Sequence, residues 1–185
     1  AVSGARAVST ASGVPQIAFS SDPAVAAPGA WLISVLPDEV VDKTVAEAVA
    51  MGRRSFAAIL PRGAYGTLVE TQLRKSLAAR GGTLTGLVHY DYNDASVRAA
   101  VSEIVPAAQA AQAIFIPDGG ATPGVIAGLL AEAQVDLAAH LVLGTGQWRS
   151  GNLAAPGLPV ALFVHVDPPR PVPYHHLTLP PTYSV

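Results

Sequence analysis

The chain has 185 residues, of which 50% are hydrophobic and 13% are charged, and its formal net charge is −2. This length and hydrophobic content suffice to bury a substantial core, and they exclude a wholly disordered chain. The 11 basic and 13 acidic residues form no basic stripe, so we expect no nucleic-acid partner. Cysteine is absent, which excludes disulfides, thiolate metal sites and cysteine nucleophiles.

Short apolar runs alternate with longer amphipathic segments along the chain. The runs predict buried β-strands, and the segments with apolar residues at helical spacing predict α-helices. In chain order the prediction is strand 14–19, strand 31–36, helix 38–51, strand 55–60, helix 65–80, strand 83–90, helix 94–108, strand 113–117, helix 122–134, strand 141–143 and strand 158–166. Asp38, and either Asn93 or Asp94, are expected to cap helices.

Connections of about twelve or more residues between successive strands indicate parallel pairing. We therefore predict a three-layer α/β fold, a mostly parallel, doubly wound sheet with helices on both faces. Ligands of such sheets bind beyond the carboxyl ends of the strands. The segments to examine for function are then 20–23, 61–66, 89–93, 117–122 and 144–148.

The sequence lacks the motifs of common catalytic and cofactor sites. The run Gly144-Thr145-Gly146 is without the third glycine of a dinucleotide-binding turn, and no Gly-x-Ser-x-Gly elbow occurs. His175 and His176 are neighbours that would point to opposite faces of a strand, which disfavours a shared metal. We therefore predict a non-enzymatic protein with no catalytic residue, no metal site and no cofactor.

Three features at the predicted strand ends each have two interpretations. The turn at 63–66 either offers backbone N–H groups to an anion or is a tight strand-to-helix connection. Trp148 either packs in the core or at a lobe interface, or stacks on a ligand. Asp118 either forms local turn hydrogen bonds or binds the ammonium group of a ligand.

Several segments resemble the type I periplasmic binding proteins, most closely those for branched-chain amino acids. Residues 14–21, Val-Pro-Gln-Ile-Ala-Phe-Ser-Ser, resemble that family's first-lobe strand and serine-rich turn. Residues 56–61, Phe-Ala-Ala-Ile-Leu-Pro, followed by Ala64-Tyr65-Gly66, resemble the start of its second lobe. Residues 114–120 and 143–148 are similar to its later strand ends. The resemblance covers roughly 14–168, and it is nearest to lipoproteins that activate penicillin-binding proteins.

The resemblance implies roles for individual side chains. Ser20 and Ser21 match the first-lobe turn that meets a ligand's carboxylate and ammonium. Tyr65 matches the second-lobe tyrosine that closes over the ligand, and Asp118 falls near the acidic partner of the ammonium. The candidate ligand-binding residues are therefore Ser20, Ser21, Tyr65 and Asp118, together with Trp148 from its place after a glycine turn.

The resemblance also implies a division into domains. Residues 1–36 would be a remnant of the first lobe, 37–167 the second α/β lobe, and 168–185 a proline-rich tail. Two departures from the family stand out: Arg62 lies where an acidic residue is common, and the tail replaces later helices. The chain thus looks truncated, or altered at its end, and the apolar surface that a missing lobe would leave suggests a homodimer.

The expected function is extracytoplasmic binding of a small amino-acid-like ligand, as the receptor of an ABC transporter. The alternative is a regulatory lipoprotein domain that activates a cell-wall synthase, that is, a penicillin-binding protein. Both imply a periplasmic location and an exported or lipid-anchored parent, although no signal-peptide pattern opens this chain. No segment of the sequence predicts a transmembrane helix.

Overall fold

A computed structural model describes residues 14, 16–18, 30–32, 37–150 and 161–163. Two parallel sheets are present in this part of the chain. In the first, β1 (Gln16–Ala18) pairs with β2 (Ala30–Leu32), and Gln16 lies opposite Ala30. Both strands fall on the predicted first-lobe remnant, whereas the predicted tail at 168–185 lies outside the described residues.

The second sheet has five parallel strands in its described part, in the order β4-β3-β5-β6-β7. Its strands are β3 (Ser55–Pro61), β4 (Thr83–Tyr90), β5 (Ala113–Phe115), β6 (Leu141–Gly144) and β7 (Ala161–Phe163). The chain enters at β3, steps to the edge at β4, and then crosses back over β3 to β5. The direction of winding therefore reverses between β3 and β5, which is where parallel α/β sheets bind ligands. The predicted fold class is confirmed.

Helices precede the second sheet or connect its strands. Those described are α1 (Pro37–Ala50), α2 (Ala64–Arg80), α3 (Asp94–Ala110), α4 (Thr122–Glu132) and a 3₁₀ helix (Gly146–Ser150). Asn93 caps α3, because its side chain accepts a hydrogen bond from the Ser96 amide at 2.9 Å. The predicted cap at Asp38 is wrong: α1 begins one residue earlier, at Pro37, so Asp38 lies in the first turn, where its negative charge is favourable.

The two faces of the second sheet pack against different helices. Because side chains alternate along a strand, Ala57 and Ile59 of β3 join one core, and Phe56, Ala58 and Leu60 join the other. Helices α3 and α4 contribute to the first core, and α1 and α2 to the second. This three-layer packing buries all of β3 after its first residue, as is typical of a central parallel strand.

A polar contact ties α1 to α2 at the protein surface. Arg80 donates hydrogen bonds to both carboxylate oxygens of Asp42, at 2.8 and 2.7 Å. The Ser76 hydroxyl donates a third, at 2.7 Å. The hydrogen bond from Arg80, and then that from Ser76, lower the pKa of Asp42, because both stabilise the ionised carboxylate.

Candidate ligand-binding site

Polar side chains from the end of β4 and from the loops that follow β4 and β5 meet at the carboxyl edge of the second sheet, where its winding reverses. Tyr90 is the last residue of β4, Tyr92 follows it in the next loop, and Asp118 lies three residues after the end of β5. Because β4 and β5 flank β3, these residues converge over the end of β3. Asp118 stands at their centre and is only 6% exposed.

Three donors surround the carboxylate of Asp118. The Tyr90 hydroxyl donates to Oδ2, the Gly119 amide donates to Oδ1 at 2.7 Å, and the Tyr92 hydroxyl reaches Oδ1 at 3.3 Å. Hydrogen bonds of this kind offset the desolvation of a buried carboxylate, which has about four acceptor positions. The local turn accounts for one of these bonds, and the other two come from residues of the preceding strand and loop.

The two tyrosines that bind Asp118 differ in exposure. Tyr90 is wholly buried, whereas Tyr92 is 69% exposed. Their rings form an edge-to-face pair with centroids 5.9 Å apart and planes at 83°. Burial, and then the Asp118 carboxylate, raise the pKa of Tyr90. Partial desolvation and the Asp118 charge also raise the pKa of Tyr92, so both hydroxyls remain protonated donors.

Tyr65 reaches the same region from the first turn of α2. Its hydroxyl donates to the backbone oxygen of Pro117 at 2.8 Å. Burial raises the pKa of Tyr65. The Thr145 hydroxyl, at the end of β6, partly offsets this rise. Thr145 Oγ1 is itself buried and makes no hydrogen bond of ordinary geometry among the described residues. Tyr65 thus ties α2 to the residue before Asp118.

Trp148 supports the loop that carries Asp118. Its side chain is 1% exposed, and Nε1 donates to the backbone oxygen of Ile116 at 2.9 Å. The ring lies against Gly144, where a Cβ atom would come within 2.2 Å of Trp148 Cε2. The structure therefore agrees with the packing interpretation. Direct stacking of Trp148 on a ligand stays a prediction.

The turn between β3 and α2 is a tight connection. Gly63 has φ 110° and ψ −174°, a conformation that favours glycine. A Cβ atom on Gly66 would lie 1.8 Å from the backbone oxygen of Pro61, so α2 can begin this close to β3 only with glycine at 66. The positive φ of Gly63 and the close approach at Gly66 explain these two glycines without an anion.

Charged groups at the rim of the site are paired with one another. Arg62 Nε lies 3.4 Å from Asp91 Oδ2, and these side chains are 62% and 58% exposed. Glu70 pairs with Arg74 at 2.8 Å and with His89 Nε2 at 3.1 Å. The only carboxylate at this edge that is buried against tyrosines, within the part of the chain that the structure describes, is Asp118.

The structure brings two of the predicted site residues together, since Tyr65 is bonded to the residue that precedes Asp118. Ser20 and Ser21 lie outside the described residues. Sequence reasoning marked 89–93 as a segment to examine but missed Tyr90 and Tyr92. The signal in the sequence was the Tyr-Asp-Tyr run at 90–92, which places a tyrosine on each side of Asp91 at the end of a predicted strand. In the described ranges, no group of three or more metal-ligating side chains occurs, and no helix is long and apolar enough to cross a membrane.

No protein-family model matches the sequence, and no curated protein matches it. Similar folds are found among solved structures. An ABC transporter substrate-binding protein from Sphaerobacter thermophilus is 18% identical, with a TM-score of 0.64 over 79% of this chain and 42% of that one. A solute-binding protein of an ABC transporter from Rhodopseudomonas palustris, in complex with benzoate, is 17% identical, with a TM-score of 0.61 over 76% of this chain and 39% of that one.

A third similar structure is a branched-chain amino-acid ABC transporter periplasmic ligand-binding protein from Burkholderia xenovorans. It is 24% identical, with a TM-score of 0.52 over 60% of this chain and 29% of that one. The chain has the fold of the type I periplasmic binding proteins. These three fold neighbours are ligand-, solute- or substrate-binding proteins of ABC transporters, and the chain spans less than half the length of each.

Proposed function

We propose that this chain is part of an extracytoplasmic receptor of the ABC-transporter type, which binds a small amino-acid-like ligand without transforming it. The observation that carries the proposal is the buried carboxylate of Asp118, held among tyrosine hydroxyls at the carboxyl end of a parallel sheet. The fold neighbours, which are solute-binding proteins, support the receptor class. The proposed location is the periplasm, where such receptors meet their solutes.

The hydrogen-bond polarity of the site favours a ligand group that donates. Tyr65 donates its only hydroxyl hydrogen to Pro117, and Tyr90 and Tyr92 donate theirs to Asp118. These hydroxyls therefore have no hydrogen left to donate to a ligand, and the carboxylate of Asp118 is itself an acceptor. A protonated nitrogen matches such a surface, because its N–H groups are donors and its positive charge is attracted by the carboxylate.

A ligand carboxylate is a poor match for the same position. It would meet the like charge of Asp118 in a site that is largely shielded from water. The neighbouring guanidinium of Arg62 is already paired with Asp91 at 3.4 Å and is mostly exposed. We therefore infer that the amino end of the ligand faces this lobe. The ligand would then differ from that of the Rhodopseudomonas neighbour, which is in complex with benzoate, a compound without an amino group.

The test is a thermal-shift screen against amino acids, amines and aromatic carboxylates. A ligand present at about one hundred times its Kd stabilises the folded state by about 2.7 kcal/mol, which raises Tm by about 5–10 °C for a chain of this size. We expect a saturable rise with amine-bearing compounds. Asp118→Asn should abolish that rise, and Asp91→Asn should retain it, because the Asp91 side chain is exposed at the rim.

Two results would contradict the proposal. One is a flat response to every amine-bearing compound in a protein that circular dichroism shows to be folded, and this would favour the synthase-regulator alternative. The other is ligand binding by Asp118→Asn that equals that of the wild type, which would move the site away from this carboxylate.

A further inference from the structure

The three donors hold Asp118 with unequal strength. The hydroxyl of buried Tyr90 and the Gly119 amide, at 2.7 Å, are the firm partners. Tyr92 reaches Oδ1 at 3.3 Å, which is long for an O–H···O bond, whose usual range is about 2.5–3.0 Å. Tyr92 is also 69% exposed, so water competes for its hydroxyl. It is the weakest and most accessible of the three donors.

Tyr92 also stands on the side from which a ligand would reach the carboxylate. Asp118 is 6% exposed, and its Oδ2 atom faces Tyr90, which is wholly buried. The approach from solvent is therefore toward Oδ1, the atom to which Tyr92 donates. A ligand that binds Asp118 from solvent must take the place of this hydroxyl or share Oδ1 with it.

We propose that Tyr92 is a built-in competitor for the ligand. In the empty site its hydroxyl occupies the position on Asp118 that the ligand's protonated nitrogen takes, and it leaves that position when the ligand binds. The inference rests on the proposed function, because it requires Asp118 to receive such a nitrogen. The displaced Tyr92 ring stays beside the site, where its face can attract the cation.

This arrangement predicts effects of opposite sign for two equivalent substitutions. Tyr92→Phe removes the competing hydroxyl and keeps the ring, so ligand affinity should rise about twofold, because a hydrogen bond as long as 3.3 Å stands at the low end of the worth of an ordinary one. Tyr90→Phe removes the firm partner of Oδ2, so the carboxylate loses its fixed position and affinity should fall about tenfold. Tyr92→Ala removes the ring as well, and it should bind more weakly than Tyr92→Phe.

The experiment is isothermal titration of the full chain and these three variants with L-leucine, L-phenylalanine and L-lysine. Circular dichroism confirms that each variant is folded. Tighter binding by Tyr92→Phe than by the wild type supports the inference, as does binding by Tyr92→Phe of an amino acid that the wild type fails to bind.

The contradicting outcomes separate the two proposals. Binding by Tyr92→Phe that is equal to or weaker than that of the wild type overturns the competitor role and leaves the proposed function standing. If neither the wild type nor Tyr92→Phe binds any of the three amino acids or any other amine-bearing compound of the thermal-shift screen, the proposed function fails, and the competitor role fails with it.

Discussion

Replacing Gly144 by alanine tests whether the support beneath the site is as tight as the structure indicates. The added Cβ would lie 2.2 Å from Cε2 and 2.3 Å from Cδ2 of Trp148. The indole cannot move away freely, since it is 1% exposed and its Nε1 is bonded to Ile116 at 2.9 Å. The backbone of Gly144 is not in the left-handed region, so the expected effect is steric alone.

The magnitude follows from two contributions. Overpacking a close-packed core costs about 1–3 kcal/mol. Displacing the indole also weakens a buried hydrogen bond worth about 0.5–1.5 kcal/mol. We therefore expect Gly144→Ala to lose about 2–4 kcal/mol of unfolding free energy, which lowers the urea midpoint by about 1–2 M at an m-value of about 2 kcal/mol/M.

The matched control is Gly128→Ala in α4, where an added Cβ meets nothing within 4 Å. Alanine is favoured over glycine inside a helix by about 0.5–1 kcal/mol, so this variant should be slightly more stable than the wild type. The assay is urea denaturation followed by far-ultraviolet circular dichroism. A Gly144→Ala midpoint that equals the wild-type midpoint would refute the packing of Trp148 against Gly144.

Two further predictions concern stability without a ligand. Tyr90→Phe should lower the free energy of unfolding by about 1.5–3 kcal/mol, because it removes a buried, charge-assisted hydrogen bond to Asp118. Tyr92→Phe should change that free energy by less than about 0.5 kcal/mol. Equal losses for the two variants in urea denaturation would contradict this difference. The pKa of Asp42 is lowered in the folded state, so its contact with Arg80 should add stability above the ordinary aspartate pKa and lose it as pH falls through the folded value. The contribution is about 0.2–1 kcal/mol for such an exposed pair, and a pH profile of unfolding identical to that of Asp42→Asn would rule it out.

Much of the fold could be predicted from local patterns along the chain. The run at 55–60 is apolar throughout because β3 is covered on both faces, and that burial leaves a clear signal in the sequence. A cap at Asn93 or Asp94 could be predicted because capping depends on local side-chain chemistry, and the structure shows that Asn93 is the cap. Asp38 was assigned wrongly because Pro37, the residue before it, is itself a favoured first helical residue.

The candidate site was harder to predict because its contacts cross the sheet. Tyr90 and Asp118 are 28 residues apart, and they meet only because β4 and β5 lie on either side of β3. Strand order is not encoded in any local pattern, so the tyrosines on either side of Asp91 do not indicate in the sequence that they meet Asp118. Tyr65 was predicted as a ligand contact through the resemblance, and Asp118 through both its position after a strand and the resemblance; both stay predictions.

The role of Trp148 was also hard to predict, because one of its contacts joins residues that are distant in sequence. Its position after a glycine turn suited both a ligand contact and a core role. Gly144 is only four positions from Trp148 in the sequence. The hydrogen bond to Ile116 joins residues 32 positions apart, and it forms only because β5 lies beside β6. This long-range hydrogen bond satisfies the indole N–H of the buried ring, and no local pattern in the sequence predicts it.

The central claim, that Asp118 receives a protonated nitrogen, is tested most directly by titrating the wild type with a matched pair of compounds. The pair is the amino acid that raises Tm most and its desamino analogue, which keeps the carboxylate and side chain and lacks the ammonium. We predict that the desamino acid binds at least about tenfold more weakly, since a charge-assisted hydrogen bond is worth about 1.5–3 kcal/mol. Equal or tighter binding of the desamino acid would contradict the assignment of Asp118.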